Sequence, residues 1–367
     1  MNKPDPATTP EGGPEIGPEQ IALLEKLSNT SAVSGDEGAV RRIVLDQVAS
    51  HADWVEIDSL GNVLVTRLGG GKNRLRVMLA AHMDEIDFMV TQDNDKGIFR
   101  FDTVGGIDAR QLPGKPVWVG DDRIPGVIGA KPIHLTKPSE RGQTIPIDTL
   151  RIDVGPENAK KVKIGDRAVF ATPFRQLDGS LWGKAMDDRL GVTSLIELIK
   201  HPPAGIDLLA AFTVQEEVGL RGARVAAYSL DPHAAIALDC TPANDLPAFD
   251  ADEGGKNQRY NTRQGHGPAI YVADRATLSD PRLVSHLIET GTANQIPFQI
   301  RQPGGGGTDA GAIHKQRAGI PSVSLSVPGR YLHTAISLVL LEDWRNTLAL
   351  VHAALSSFSP AVLAGER

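Results

Sequence analysis

Glu216 and Glu217 stand side by side just beyond Leu208-Leu209-Ala210-Ala211-Phe212, an apolar run with the length and composition of a buried strand. Adjacent side chains on an extended segment point to opposite sides, so one carboxylate can hold a cation while the other handles a proton. An acidic pair in that position also suits an ordinary helix start. Its company argues for the chemistry. His82 and Asp84 follow the apolar run 74–81, Asp239 follows 234–238, and His333 comes after 322–327. Asp187-Asp188 opens a segment with helical spacing. Taken singly, each has a plain structural explanation: a satisfied histidine, a turn aspartate, or a helix start favoured by the macrodipole, which is the reading given to Asp188. Together they place two histidines and several carboxylates at strand exits, where sites form in open α/β sheets.

Imidazole nitrogen with carboxylate oxygen suits zinc, cobalt or manganese. The single cysteine, Cys240, rules out an intrachain disulfide and a cysteine-built zinc site. One carboxylate can bridge two ions, leaving each a histidine and a further carboxylate. Such ions sit roughly 3.5–4 Å apart, supply a hydroxide and stabilise a tetrahedral oxyanion. A spare glutamate can then carry the proton to a leaving amine. Asp84, two residues from His82, can orient its imidazole.

The elements that must hold these side chains alternate. Ser34-Gly35-Asp36-Glu37 has the form of a capping box, followed by Val40, Ile43, Val44 and Val48 at helical spacing. Residues 54–57 and 62–66 read as a hairpin, and 74–81 as a strand running into His82. Beyond 176 come helices at 190–200, 283–290 and 340–355, with strands at 208–214, 234–238, 298–301 and 322–327. That alternation predicts a three-layer α/β/α domain built on a mostly parallel sheet. Residues 91–176 differ: short strands alternate with turns, and prolines at 113, 116, 125, 132, 138, 146, 156 and 173 leave no room for a long helix. This stretch is expected to be a small β-barrel or sandwich inserted into a catalytic domain formed by 21–90 and 177–367. Residues 1–20, rich in Pro, Gly, Glu and Thr, are expected to be a disordered lead-in.

With 367 residues the chain exceeds one ordinary domain, and 41% hydrophobic against 23% charged residues is a globular composition. A net charge of −7 gives no reason to expect nucleic acid or an anionic membrane as partner. No apolar run is long enough to span a bilayer, and a cytoplasmic location is expected. Gly304-Gly305-Gly306-Gly307 lacks the further residues of a phosphate-binding loop.

The sequence resembles the M42 family of dinuclear metallo-aminopeptidases, which contains the tetrahedral and glutamyl aminopeptidases. The matching stretches are Ser34-Gly35-Asp36-Glu37, Leu60-Gly61-Asn62, Ala81-His82-Met83-Asp84-Glu85, Lys184-Ala185-Met186-Asp187-Asp188-Arg189 and Gln215-Glu216-Glu217-Val218-Gly219. They continue through Leu238-Asp239, Gly307-Thr308-Asp309-Ala310 and Arg330-Tyr331-Leu332-His333, with Val104-Gly105-Gly106 and 126–134 in the insert. The resemblance implies that His82 and Asp239 bind one metal ion, that Glu217 and His333 bind the other, and that Asp187 bridges them. Glu216 is then the general base and acid, with Asp84 behind His82. It also implies zinc or cobalt, with manganese possible, and a PDZ-like insert that drives dimerisation. Peptides with a free N-terminus are the implied substrates, and a tetrahedral dodecamer the implied assembly. By the same resemblance the glycine run borders the substrate cleft.

Three rivals remain. A deacylase or carboxypeptidase of the related M20 type lacks the motif-bearing insert. A glycosidase, suggested by relatives labelled endoglucanase, has no use for two histidines. A scaffold with a relict site does not explain a full ligand set.

Overall fold

The computed structural model describes residues 13–72, 74–94, 96–246, 261–301 and 304–366. The first helix, α1 (Pro18–Ser28), starts ahead of the apolar spacing that begins at Ile21. Pro18 is pre-set for the opening turn of a helix. Just before it Ile16 is buried, its carbonyl accepting from Arg345 Nε at 3.1 Å. Of the expected lead-in, residues 1–12 lie outside the described residues.

Helix α2 (Gly38–Val48) buries Val40, Ile43, Val44 and Val48, as the spacing predicts. Ser34 does not cap it. Its hydroxyl donates to Asp84 Oδ2 at 2.6 Å, while Glu37 Oε1 accepts from the amides of Gly35 and Gln215. A fully buried carboxylate needs donors more than an exposed helix turn does.

Strands β1 (Trp54–Ile57) and β2 (Val63–Arg67) form the expected hairpin, and β3 (Leu75–His82) follows. Next come β4 (Asp87–Gln92), β5 (Ile98–Val104), β6 (Pro116–Val119), β7 (Ile124–Gly129), β8 (Arg151–Asp153) and β9 (Arg167–Phe170). These close into a barrel in the order β4-β5-β8-β7-β6-β9. Phe88 fills it, meeting Phe101 and Phe170 edge-on at 5.1 and 5.0 Å. The barrel's first strand thus begins before residue 91.

The chain re-enters the large sheet at β10 (Arg175–Leu177) and β11 (Ser180–Gly183). It continues with α3 (Met186–Lys200), β12 (Ile206–Thr213), α4 (Arg221–Leu230), β13 (Ala234–Pro242) and β14 (Ala269–Tyr271). After α5 (Pro281–Ala293) come β15 (Gln299–Arg301), α6 (Ala310–Ile313), β16 (Ser322–Arg330), β17 (Ser337–Leu340) and α7 (Leu341–Ser356). Among the described residues the sheet runs β1-β2-β12-β3-β13-β16-β17-β11-β10, with β14 and β15 attached beside β16. Its long central ladder, β12-β3-β13-β16, is parallel, and the additions on both edges are largely antiparallel.

Period-two alternation along β3 explains the layers. Val77, Leu79 and Ala81 face a core shared with α1, α2, α3, α5 and α7, whereas Met78 and Ala80 face α4 and α6. With both faces covered, the C-terminal ends of the central strands all open at one edge.

Candidate metal centre and substrate cavity

The ligand candidates come from five places in the chain. β3 ends on His82. β12 ends at Thr213, so Glu216 and Glu217 lie in the loop beyond it, where Gln215 has a left-handed φ of 54°. The pair is therefore not extended, and both carboxylates line one cavity rather than opposite faces. Asp239 sits within β13, which continues past the expected end to Pro242 because Asp239 and Cys240 remain in register with Ser326 and Val327 of β16. His333, at φ 57°, tips the turn between β16 and β17.

Asp187 opens α3 and stands between the two histidines. Its Oδ1 is 3.1 Å from His82 Nε2, and its Oδ2 is 3.8 Å from His333 Nε2. Asp239 Oδ1 lies 3.9 Å from His82 Nε2, and Glu217 Oε2 lies 3.7 Å from His333 Nε2. Two triads result, His82-Asp187-Asp239 and Asp187-Glu217-His333, each with its donor atoms within 4.8 Å of one another. Both rings have Nδ1 committed: His82 to the carbonyl of Asp84 at 3.1 Å, and His333 to that of Gly106 in the barrel at 2.9 Å. A carbonyl can only accept, so Nδ1 carries a proton in each ring and Nε2 is the atom that faces the centre.

Charge in the cluster is out of balance. Burial, reinforced by Asp187 and Glu216, pushes the Asp239 carboxyl well above its ordinary range. Burial likewise raises Glu216, and lifts Glu217 to about 7. Burial opposes charge on His82, yet the hydrogen bonds to Asp187 and Asp84 hold its imidazole well above the usual range. Carboxylates this crowded are what divalent cations compensate, and the nitrogen and oxygen donors fit such ions. A third grouping, Asp187-Asp188-Cys240, is otherwise engaged: Asp188 accepts from the amides of Gly191 and His82, and the Cys240 thiol donates to the Met186 carbonyl.

Comparison with known proteins agrees with this geometry. The model of the family described as M42 glutamyl aminopeptidase matches residues 61–350. The chain belongs to the M42 peptidase family. The lysyl aminopeptidase of Pyrococcus furiosus is 31% identical over 350 residues, covering 92% of this chain and 97% of that protein. Among solved structures, aminopeptidase APDkam598 from the archaeon Desulfurococcus kamchatkensis superposes with a TM-score of 0.87 at 33% identity, covering 94% of this chain and 97% of that one. The TET1 peptidase of Pyrococcus horikoshii, which can assemble into a tetrahedron or a large octahedral shell, gives a TM-score of 0.80 at 34% identity, with 92% and 100% covered. This M42 chain is thus a hydrolase of an aminopeptidase family, and membership implies divalent metals.

Contacts beyond the two triads complete the surroundings of the site. The Asp84 carboxylate lies 3.6 Å from His82 Nδ1, but it also accepts the amide protons of Glu216 at 3.0 Å and Glu217 at 3.2 Å. The carboxylate therefore fixes the glutamate pair, whereas the histidine is held by the main-chain carbonyl of the same residue. Asp309 is buried next to the site and accepts from Thr213 Oγ1 at 2.5 Å. The cavity, of about 790 Å³, extends from the carboxylates past Tyr271, Arg275 and Arg301 to Gly305, Gly306 and Gly307. The glycine run does border the cleft. An arginine and a tyrosine on three-residue strands carry no local signal that they face a distant carboxylate cluster.

Proposed function

We propose that this M42 chain hydrolyses N-terminal residues from short peptides with two divalent ions. His82 and Asp239 hold one, Glu217 and His333 the other, and Asp187 bridges them. The observation that carries the reading is Asp187, whose two oxygens face two different histidines. Bound there, such ions polarise a carbonyl and make water a nucleophile near neutral pH.

The chain's own residues do the rest. Glu216 is buried, its amide is fixed by Asp84, and its carboxylate lines the cavity without belonging to either triad. It is free to take a proton from water and return it to the leaving amine. The cavity's acidic end suits a free α-ammonium, which distinguishes an N-terminal residue from an internal one. Two imidazoles aimed at one carboxylate have no part in glycoside hydrolysis.

Zinc or cobalt, with manganese as a third option, matches the donors. Pairing of chains through the barrel, then assembly of dimers into a tetrahedral dodecamer, is supported by the exposed Ile133, Leu135 and Ile164 on that domain and by the likeness to a shell-forming peptidase. No helix among the described residues is long and apolar enough to cross a membrane, and we place the protein in the cytoplasm.

Turnover of aminoacyl-p-nitroanilides, compared with N-acetylated controls, tests the reading. The protein is assayed as purified, after EDTA, and with each metal restored. Cleavage of free but not acetylated substrates, abolished by EDTA and recovered with metal, is expected. Cleavage that ignores EDTA overturns it.

A further inference from the structure

Glu85, Lys184 and Arg189 are all buried, and none belongs to either triad. Lys184 Nζ donates to both Glu85 oxygens, at 2.9 and 2.7 Å, and Arg189 Nη2 donates to Glu85 Oε1 at 3.4 Å. The same oxygen accepts the Ala32 amide at 2.9 Å. Buried ion pairs are a poor source of stability, because desolvation offsets their attraction, so this group points to a task of another kind.

Its place in the chain supplies one. Glu85 follows His82 by three residues, while Lys184 precedes Asp187 by three and Arg189 follows it by two. One carboxylate therefore grips both flanks of the turn that carries Asp187. Each cation also holds neighbouring backbone. Lys184 Nζ donates to the Thr30 carbonyl at 3.3 Å, Arg189 Nε to that of Leu27 at 3.3 Å, and Arg189 Nη1 to that of Met83, the residue between His82 and Asp84. The Lys184 carbonyl in turn accepts from Ser28 Oγ at 2.7 Å. The turn needs such holds. Ala185 stands in the left-handed region at φ 53°, which a residue with a Cβ keeps only where its surroundings impose it. Asp187 is extended, with ψ 107°, so the helix it opens does not fix its direction.

We propose that Glu85 is a positioning residue for the reaction: by gripping Lys184 and Arg189 it sets the Asp187 carboxylate between His82 and His333 before any ion is bound. The inference rests on the two-ion reading above. Without the clamp, the donor atoms have to be ordered when an ion binds, and that ordering cost is read as weaker binding. Asp187 belongs to both triads, so both sites weaken together.

Cobalt(II) is the probe, because its visible absorption reports the geometry of its ligands. EDTA-treated protein is titrated with cobalt, read by absorption and by ions retained per chain, and urea midpoints are taken with and without cobalt. The wild type should hold two ions. Glu85→Gln, which keeps the shape and removes the charge, should weaken cobalt binding by about 10- to 100-fold, the range for residues that orient metal ligands. Lys184→Met, which leaves Arg189 in place, should weaken it less. A merely structural role lowers the midpoint equally with and without cobalt. A positioning role also narrows the gap between the two, since a more weakly bound ligand stabilises the fold less. Hydrogen exchange on the wild type needs no variant: in EDTA-treated protein the Arg189 and Gly191 amides should exchange as slowly as those of β3. If neither variant folds, that exchange decides alone. Cobalt affinity unchanged in both variants, or fast exchange of those two amides until cobalt is added, overturns the inference and leaves the two-ion reading standing. A wild type that holds fewer than two ions overturns both.

Discussion

Asp84→Asn keeps the shape of the side chain and removes one acceptor. Asp84 is fully buried, and its two oxygens serve Ser34 Oγ at 2.6 Å, the Glu216 amide at 3.0 Å and the Glu217 amide at 3.2 Å. In the amide, NH2 must occupy one of the two oxygen positions. On the Oδ2 side it faces Ser34, whose hydroxyl can rotate to accept, and the Glu217 N–H, which cannot. On the Oδ1 side it faces the Glu216 N–H. Either choice sets one glutamate amide against another donor. A buried donor left without an acceptor costs about 1–3 kcal/mol, and the remaining bonds lose their charge assistance. A loss of about 2–4 kcal/mol in stability is expected. Because the strained amide belongs to Glu216 or its neighbour, the proposed proton carrier shifts as well, and a displacement of about 1 Å lowers turnover on the order of 100-fold. The assay pairs a urea midpoint with kcat at saturating metal, and metal content measured on the same sample. Wild-type kcat with an unchanged midpoint would refute the claim that Asp84 positions the glutamate pair.

Glu216→Gln should retain both metals while turnover falls by about 100-fold or more; elemental analysis beside kcat checks this, and full activity removes Glu216 from its role. Asp187→Ala should reduce both ions together, so a variant that still holds two contradicts the bridge. Gly222 approaches Val214 so closely that an added Cβ would meet the Val214 oxygen at 2.4 Å and nitrogen at 2.6 Å. Gly222→Ala should therefore lower stability by about 3 kcal/mol, read from the urea midpoint. Asp343 accepts from the amides of Gly265 and Gly267, yet burial raises its carboxyl to about 6. A carboxyl raised by folding binds its proton more tightly in the folded state. Its contribution is present below pH 3.8 and is lost as pH rises to about 6, roughly 3 kcal/mol in all. The stability of wild type relative to Asp343→Asn should fall across that window and stay level above pH 7; a difference independent of pH refutes the assignment.

The central parallel strands were legible because buried strands are written as apolar runs, and a polar residue closing such a run lies at or near its exit, although at Asp239 the strand itself runs on to Pro242. That logic reached His82, Asp239, His333 and the Glu216-Glu217 pair. It failed where a side chain's task is set by a distant neighbour. Ser34 reads as a helix cap because its local pattern is complete, but Asp84, far away in sequence, claims the hydroxyl. The turns carrying Asp187, Glu216 and His333 use left-handed backbone at Ala185, Gln215 and His333, none of them glycine, so composition gave no hint of their geometry. Arg301 and Tyr271 lie on three-residue strands too short to show a period.

The turn that carries His333 has a footing in both domains. Its histidine is steered by the Gly106 carbonyl, and two residues later Ala335 is packed into the barrel's own apolar core. The barrel therefore cannot be treated as a detachable module. A graft from a relative would have to bring a matching carbonyl and a socket for Ala335, or the aim of the His333 ring would be lost although every residue of the two proposed triads was still present. Any tilt of the barrel moves the Gly106 carbonyl against which that imidazole is set.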